Sequence, residues 1–220
     1  MDSEILNNDL LIDYAEYIKW TGSLEELWNI LYKYSNNALY MEWYQENPKT
    51  LIERKEFYTY NKMYLPELVR WNIESRKSIK KIVNFCIEKK ISRICEYGRG
   101  IGTISIELFK NKIHSFGYEI NNSCNNFYIY RLKKYGFYNN SLKYILKKEM
   151  VICLDVLEHL EKPIEILNIL LNDYDYIAVN FSENFDIPMH LDSNKKYIKE
   201  FKEIMGKYKM IQQDIYEVNP

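Results

Sequence analysis

Seven residues near the middle of the chain, Glu96-Tyr97-Gly98-Arg99-Gly100-Ile101-Gly102, set an acid ahead of three alternate glycines. They follow Ile91, Ile94 and Cys95, an apolar stretch of the kind that forms a strand covered on both faces. Glycines at such a point let the backbone take positive φ and let a ligand lie against bare peptide. A helix opening at Thr103 then offers unpaired N–H groups and the positive end of its dipole, which suit a carboxylate or a phosphate. A dinucleotide fingerprint needs a small residue at position 103, where Thr stands, and this argues against a nicotinamide oxidoreductase. Downstream, Glu119 ends a second strand-like run, 23 residues after Glu96. An acid there lies beside the first turn of a doubly wound sheet, where its two oxygens can accept from both hydroxyls of a ribose. Asp155 ends a fourth strand-like run that starts at Met150, Glu158 and His159 follow it, and His190 lies in the later stretch 186–192. Carboxyl edges of parallel strands are where ligands of such sheets bind. A histidine near neutral pKa is suited to take the proton that an alcohol or phenol gives up.

Glu96 to Gly102 resembles motif I of the class I S-adenosylmethionine-dependent methyltransferases. Asp155-Val156-Leu157-Glu158-His159 resembles a segment of their small-molecule O- and N-methylating members, and the resemblance extends over about residues 66–210. It implies S-adenosylmethionine as cofactor, held by Glu96, Gly98, Gly100, Gly102, Glu119 and Asp155. It further implies methyl transfer to an O or N nucleophile of a small-molecule or peptide acceptor, with His159 or His190 as base. In-line attack on a sulfonium asks the protein mainly for positioning and exclusion of water.

One variant adds a divalent metal. Asp155, Glu158 and His159 have the acid-x-x-acid-His spacing which, with a distant His, here His190, binds metal in the small-RNA 3′-terminal 2′-O-methyltransferases; Asp155 replaces their glutamate. Mg²⁺, Mn²⁺ or Zn²⁺ in such a set polarises a vicinal diol or catechol. An RNA acceptor wants a basic surface, for which Lys133, Lys134, Lys147 and Lys148 are the candidates. Two departures from the family stand out. The stretch between the third and fourth strands is abbreviated, leaving Glu149, Tyr138 and Asn139 as candidates for adenine contact. Arg99 fills a slot that is generally small, where it can pair with Glu96 or with the methionine carboxylate, or crowd the site. Both motivate a rival reading, a catalytically silent protein of the same fold that binds a partner.

The elements that must position these residues follow from periodicity. Residues 1–65 read as a helical cap or lid: Ser23 and Glu26 make a capping box, and Asn47-Pro48 breaks the helix that follows. Residues 66–220 read as an α/β core, a doubly wound and mostly parallel sheet of six or seven strands. It is preceded by one long helix from Pro66 to Lys90 and followed by a terminal hairpin or single strand. All four tryptophans, Trp20, Trp28, Trp43 and Trp71, fall in the first third and are expected to pin helices together.

A hydrophobic content of 47% with 28% charged residues fits an ordinary globular domain. The net charge of −1 excludes a global field for nucleic acid or anionic lipid. Cys86, Cys95, Cys124 and Cys153 lack C-x-x-C spacing and read as reduced core residues. The early acids and the absence of a ~20-residue apolar run predict a cytoplasmic protein that does not enter a membrane.

Overall fold

The computed structural model describes residues 3–6, 8–138 and 149–218. Five helices come first: α1 (Ser3–Leu6), α2 (Asp9–Tyr17), α3 (Leu24–Glu46), α4 (Leu51–Tyr60) and α5 (Tyr64–Glu74). The expected capping box opens α3, with Glu26 Oε2 accepting from Ser23 N at 2.8 Å, and Asn47 ends it in the left-handed conformation. A second capping box, Thr50 with Glu53, opens α4. Of the tryptophans, Trp28 and Trp43 are buried among these helices, whereas Trp71 is 40% exposed.

The long helix expected from Pro66 is two helices, α5 and then α6 (Arg76–Glu88), parted at Ser75. The reason lies in what each must cover. α5 turns Leu65, Val69 and Ile73 toward Leu10, Leu11 and Leu31, in a core that also takes in Ile101, Cys124 and Phe127. α6 turns Ile82, Val83 and Cys86 toward the sheet. One straight helix cannot face both.

The α/β layer then runs β1 (Arg93–Tyr97), α7 (Thr103–Lys110), β2 (His114–Tyr118), α8 (Asn122–Lys134), β3 (Met150–Cys153), α9 (Pro163–Asp173), β4 (Tyr176–Val179), α10 (Ile198–Met205), β5 (Lys209–Gln212) and β6 (Ile215–Glu217). Strand order is β2-β1-β3-β4-β6-β5; the first four are parallel, and the terminal hairpin adds β6 antiparallel to β4. Six strands are thus present among the described residues. The expected third strand falls mostly on 139–148, outside them. β3 is buried at every position, as a strand covered on both faces requires. α9 and α10 pack on one face with Cys95, Val151 and Cys153, while α6 covers Ile94, Met150 and Ile152 on the other. All four cysteines are buried and free. No described helix is long and apolar enough to cross a membrane.

Candidate functional site

The glycine turn joins β1 to α7 at the carboxyl edge of the sheet. Gly98, Gly100 and Gly102 all have positive φ, at 76°, 57° and 67°. Close packing demands two of them: a Cβ on Gly98 would lie 2.4 Å from Val156 Cγ2, and one on Gly102 would lie 2.2 Å from the Tyr128 ring. Gly98 N and Arg99 N donate to Tyr118 O at 3.1 and 2.8 Å, seaming the turn to the end of β2. Glu119 comes next in the chain and grips the turn, accepting from Gly100 N on Oε2 and from Asn121 N on Oε1, both at 2.7 Å. A carboxylate has about four lone-pair positions, so roughly two are left for hydroxyl donors. No side chain caps the N-terminus of α7.

Glu96 sits behind the turn, 3% exposed, accepting on Oε1 from Ser105 Oγ and from Ser115 Oγ, the latter at 2.7 Å. Burial raises its pKa, and the two serines and then Arg99 counter that. It fastens α7 and β2 to β1. Arg99 forms no ion pair with Glu96. It donates to Gly117 O at 2.8 Å and to Asn125 Oδ1 at 2.7 Å, and lies 4.0 Å from the Tyr128 ring centroid. The expected pairing fails because the guanidinium finds a carbonyl, an amide and an aromatic face on the α8 side. Crowding of the turn by Arg99 is avoided in the same way.

A second group of residues follows β3. Asp155 has φ 54°, a sparsely populated conformation for a residue with a Cβ, and a reciprocal pair holds it there. Asp155 N donates to Asn180 Oδ1, and Asn180 Nδ2 donates to Asp155 Oδ1, both at 2.7 Å. A short 3₁₀ turn, Leu157–His159, then carries Glu158, whose side chain is 1% exposed and whose two oxygens meet no donor in hydrogen-bonding geometry. Burial, with Asp155 adding to it, raises the Glu158 pKa to about 7, against weaker lowering by the nearby amides of Glu158 and Ser182. Asn194 Nδ2 steadies this turn by donating to Glu158 O and Leu160 O.

Two histidines complete the group. His159 Nδ1 lies 2.9 Å from Tyr58 Oη and 3.1 Å from Met189 O. Burial, then His190, lowers its pKa to about 4, so the ring is neutral near pH 7. A carbonyl only accepts, so Nδ1 carries the proton and Nε2 the lone pair. His190 obeys the same logic, its Nδ1 being 2.5 Å from Asn184 O while its Nε2 is 3.9 Å from Glu158 Oε1. One ligand atom each from Glu158, His159 and His190 lies within 4.8 Å of the others. Two imidazole lone pairs and a carboxyl group that ionises near pH 7 therefore converge.

No protein-family model matches the chain, and no curated protein matches it significantly. Among solved structures, magnesium protoporphyrin IX methyltransferase (ChlM) from Synechocystis PCC 6803, with bound SAM, is similar at a TM-score of 0.50. Identity is 15%, over 96% of this chain and 91% of that one. This chain has the class I methyltransferase fold. The methyltransferase domain of bacterial CtHen1-C is also similar, at 14% identity and a TM-score of 0.47, over 66% of this chain and 99% of that one.

Within the methyltransferase fold, the sequence-predicted residues divide into two groups. Glu96, the three glycines and Glu119 gather at the turn. Glu158, His159 and His190 gather after β3, and the metal set expected from spacing loses Asp155, whose Oδ1 is engaged by Asn180. Glu149 is not placed to contact adenine: it pairs with Arg93 and Ser92 at the amino edge of the sheet, the end opposite the turn. Asn139, Lys147 and Lys148 lie outside the described residues. Lys134 is paired with Asp13 and Glu16, whereas Lys133 lies over the Tyr138 ring and makes no ion pair among the described residues. Sequence reasoning missed Tyr58, Asn180 and Asn121. Asn121 caps α8 and donates its amide to Tyr58 O and Asn61 O, clamping the end of α4 beside Glu119. Its cap position was legible; its reach to α4 was not. Asn180, a polar residue straight after an apolar strand, was the signal available for Asp155's partner.

Proposed function

We propose that this chain is an S-adenosylmethionine-dependent methyltransferase acting on an oxygen or nitrogen nucleophile of a small-molecule or peptide acceptor. The observation that carries the reading is Glu119 bound to Gly100 N, which sets a ribose-binding acid against a glycine turn at the carboxyl edge of a methyltransferase fold. In this reading Gly98, Gly100 and Gly102 leave room for the cofactor's methionine and ribose portions. Glu119 takes the ribose hydroxyls on its unused lone pairs, Glu96 holds the turn from behind, and Asp155 borders the methyl donor. His159 or His190, each with Nε2 unprotonated, accepts the proton that the nucleophile loses, His159 being a weaker base than a free imidazole because burial lowers its pKa to about 4. Calorimetric titration with S-adenosylmethionine and S-adenosylhomocysteine tests the reading. Micromolar binding is expected, abolished in Glu119→Ala and Gly100→Arg proteins that keep the parent's circular dichroism. Absence of binding by the parent overturns it in favour of a silent partner-binding protein.

A specific observation favours a second element. The convergence of Glu158, His159 and His190 fits a divalent cation, since a carboxyl group and two imidazoles with unprotonated Nε2 atoms, all within 4.8 Å, are the ligands borderline metals take. Such an ion would occupy the Nε2 lone pairs and so replace the histidines as base, acting instead as a Lewis acid that lowers the pKa of an acceptor oxygen. Tyr58 and Met189 O would set the orientation of the His159 ring, as partners of a ligating histidine do. Dialysed protein should take up Mn²⁺ or Zn²⁺ by calorimetry, and Glu158→Gln should lose it; equal uptake by both proteins would remove the ion from the account.

A further inference from the structure

α6 begins with a charge arrangement that its own helix does not favour. Arg76, Lys77, Lys80 and Lys81 fall in its first two turns, with no acid in the first turn and no side-chain cap. Cations there oppose the positive end of the helix dipole. Arg76 with Lys80, and Lys77 with Lys81, are also like-charge pairs at i,i+4, which destabilise a helix. Arg70, one element earlier, is paired with both Glu67 and Glu74. Among the described residues none of the four cations of α6 makes an ion pair, and Lys77, Lys80 and Lys81 are exposed. Packing accounts for the opposite face of α6, through Ile79, Ile82, Val83, Phe85 and Cys86. It does not account for the cations, and local rules broken without a local gain point to a role outside the fold.

Position and company indicate the role. Four residues separate the end of α6 from β1, against which it packs, so its first turn lies toward the carboxyl edge, the end that carries the glycine turn. Trp71, in the last turn of α5 and five residues before Arg76, is 40% exposed. An exposed indole followed after five residues by a run of cations without ion pairs is a combination that suits single-stranded nucleic acid, with a base stacked on the ring and phosphates on the charges. A lipid surface would require several apolar side chains, and α6 exposes one, Ile87, at its far end. An acidic polypeptide would use the cations and leave the indole idle. We propose that Trp71 with Arg76, Lys77, Lys80 and Lys81 forms a docking surface for single-stranded nucleic acid at the cleft end of the sheet.

Fluorescence anisotropy of the full chain with a labelled oligouridylate 12-mer reads binding without turnover, so its failure is distinct from failure of the methyltransferase reading. Four phosphate contacts predict a log–log salt slope of about −3. In a Lys77→Gln, Lys80→Gln, Lys81→Gln protein the slope should shrink by about 2, with affinity down about tenfold or more at low salt. Trp71→Ala should weaken binding roughly 5- to 150-fold. The triple variant removes like-charge pairs, so its melting temperature should equal or exceed the parent's, and cofactor titration should be unchanged. The proposal is overturned if the 12-mer does not bind at low salt, if the triple variant keeps the parent's slope, or if polyglutamate or phosphatidylserine vesicles bind as tightly.

Discussion

Two carboxylate-bearing regions sit on the same edge of one sheet and are built to opposite rules. Around the glycine turn the acids that anchor it have donors: Glu119 has two backbone amides, Glu96 has two serine hydroxyls, and Asp13 meets Arg131, Lys134 and Tyr135. After β3, Glu158 is as buried as Glu96 yet has no donor in hydrogen-bonding geometry, and the histidines near it offer lone pairs. Satisfied buried networks rigidify, while a buried carboxyl group without a protein donor costs stability when it ionises. The first region is a frame and the second a vacancy in the hydrogen-bond pattern, so substitutions should destabilise in the first and relieve in the second.

The largest effect belongs to the frame. Arg131 of α8 is 2% exposed, pairs with Asp13 of α2 at 3.0 Å, and donates to Ile101 O in the glycine turn at 3.3 Å. Asp13→Ala leaves a buried guanidinium without its counter-charge, at a cost of roughly 3–5 kcal/mol. Chemical denaturation should register that loss, and cofactor affinity should fall with it because Ile101 is part of the turn. A loss under 1 kcal/mol would show that water reaches Arg131 and that the two regions are less different than their burial suggests.

Glu158→Gln tests the other side by pH. For Glu158 the folded pKa, about 7, lies above the ordinary 4.5, so its stabilising contribution is full below pH 4.5 and is lost as pH rises to 7. That loss amounts to roughly 3 kcal/mol. His159 has the opposite sign: its folded pKa, about 4, lies below 6.5, so stability is gained as pH rises from 4 to 6.5. In metal-free parent protein the two nearly cancel across the overlap. Glu158→Gln should show the histidine's rise alone, so that variant and parent stabilities diverge with pH up to about 7. Parallel curves in thermal melts from pH 4 to 8 would mean that Glu158 ionises without penalty. Asp155 acts on Glu158 and His190 on His159, so the difference between the two curves reports this coupled cluster, with Glu158 as the group removed.

The frame was largely legible in the sequence and the vacancy only half so, for a physical reason. Alternating glycines after an apolar run have few uses, and Glu119 follows them by one helix and one strand, so local spacing located nearly all of the turn. Glu158, His159 and His190 were visible as residue types with suitable chemistry. What spacing could not convey is that Asp155 spends its carboxylate on Asn180 and that a tyrosine 101 positions before His159 holds its ring. Both depend on contacts between elements distant in sequence. The split of the long helix at Ser75 was hidden for the same reason, since each half faces a core assembled from different parts of the chain.

Tyr58 connects the two regions and gives the smallest of these effects. Its backbone carbonyl accepts from Asn121, beside Glu119, while its hydroxyl touches His159 Nδ1. The His159 proton has two acceptors, Tyr58 Oη and Met189 O, so Tyr58→Phe removes one and leaves the tautomer to the carbonyl. Stability should change by about 0.5–1.5 kcal/mol, the net worth of one hydrogen bond. Cofactor affinity should stay the same, because the backbone contact to Asn121 survives the substitution. The proposed methyl transfer should slow several-fold in kcat with the acceptor's KM little changed, since a less constrained ring spends less time aligned with the nucleophile. His159→Gln, which removes a proposed proton acceptor itself, should cost far more. If the two variants instead lost kcat equally, the phenol would be carrying the proton, and the line between a frame that positions and a vacancy that reacts would have to be redrawn through Tyr58.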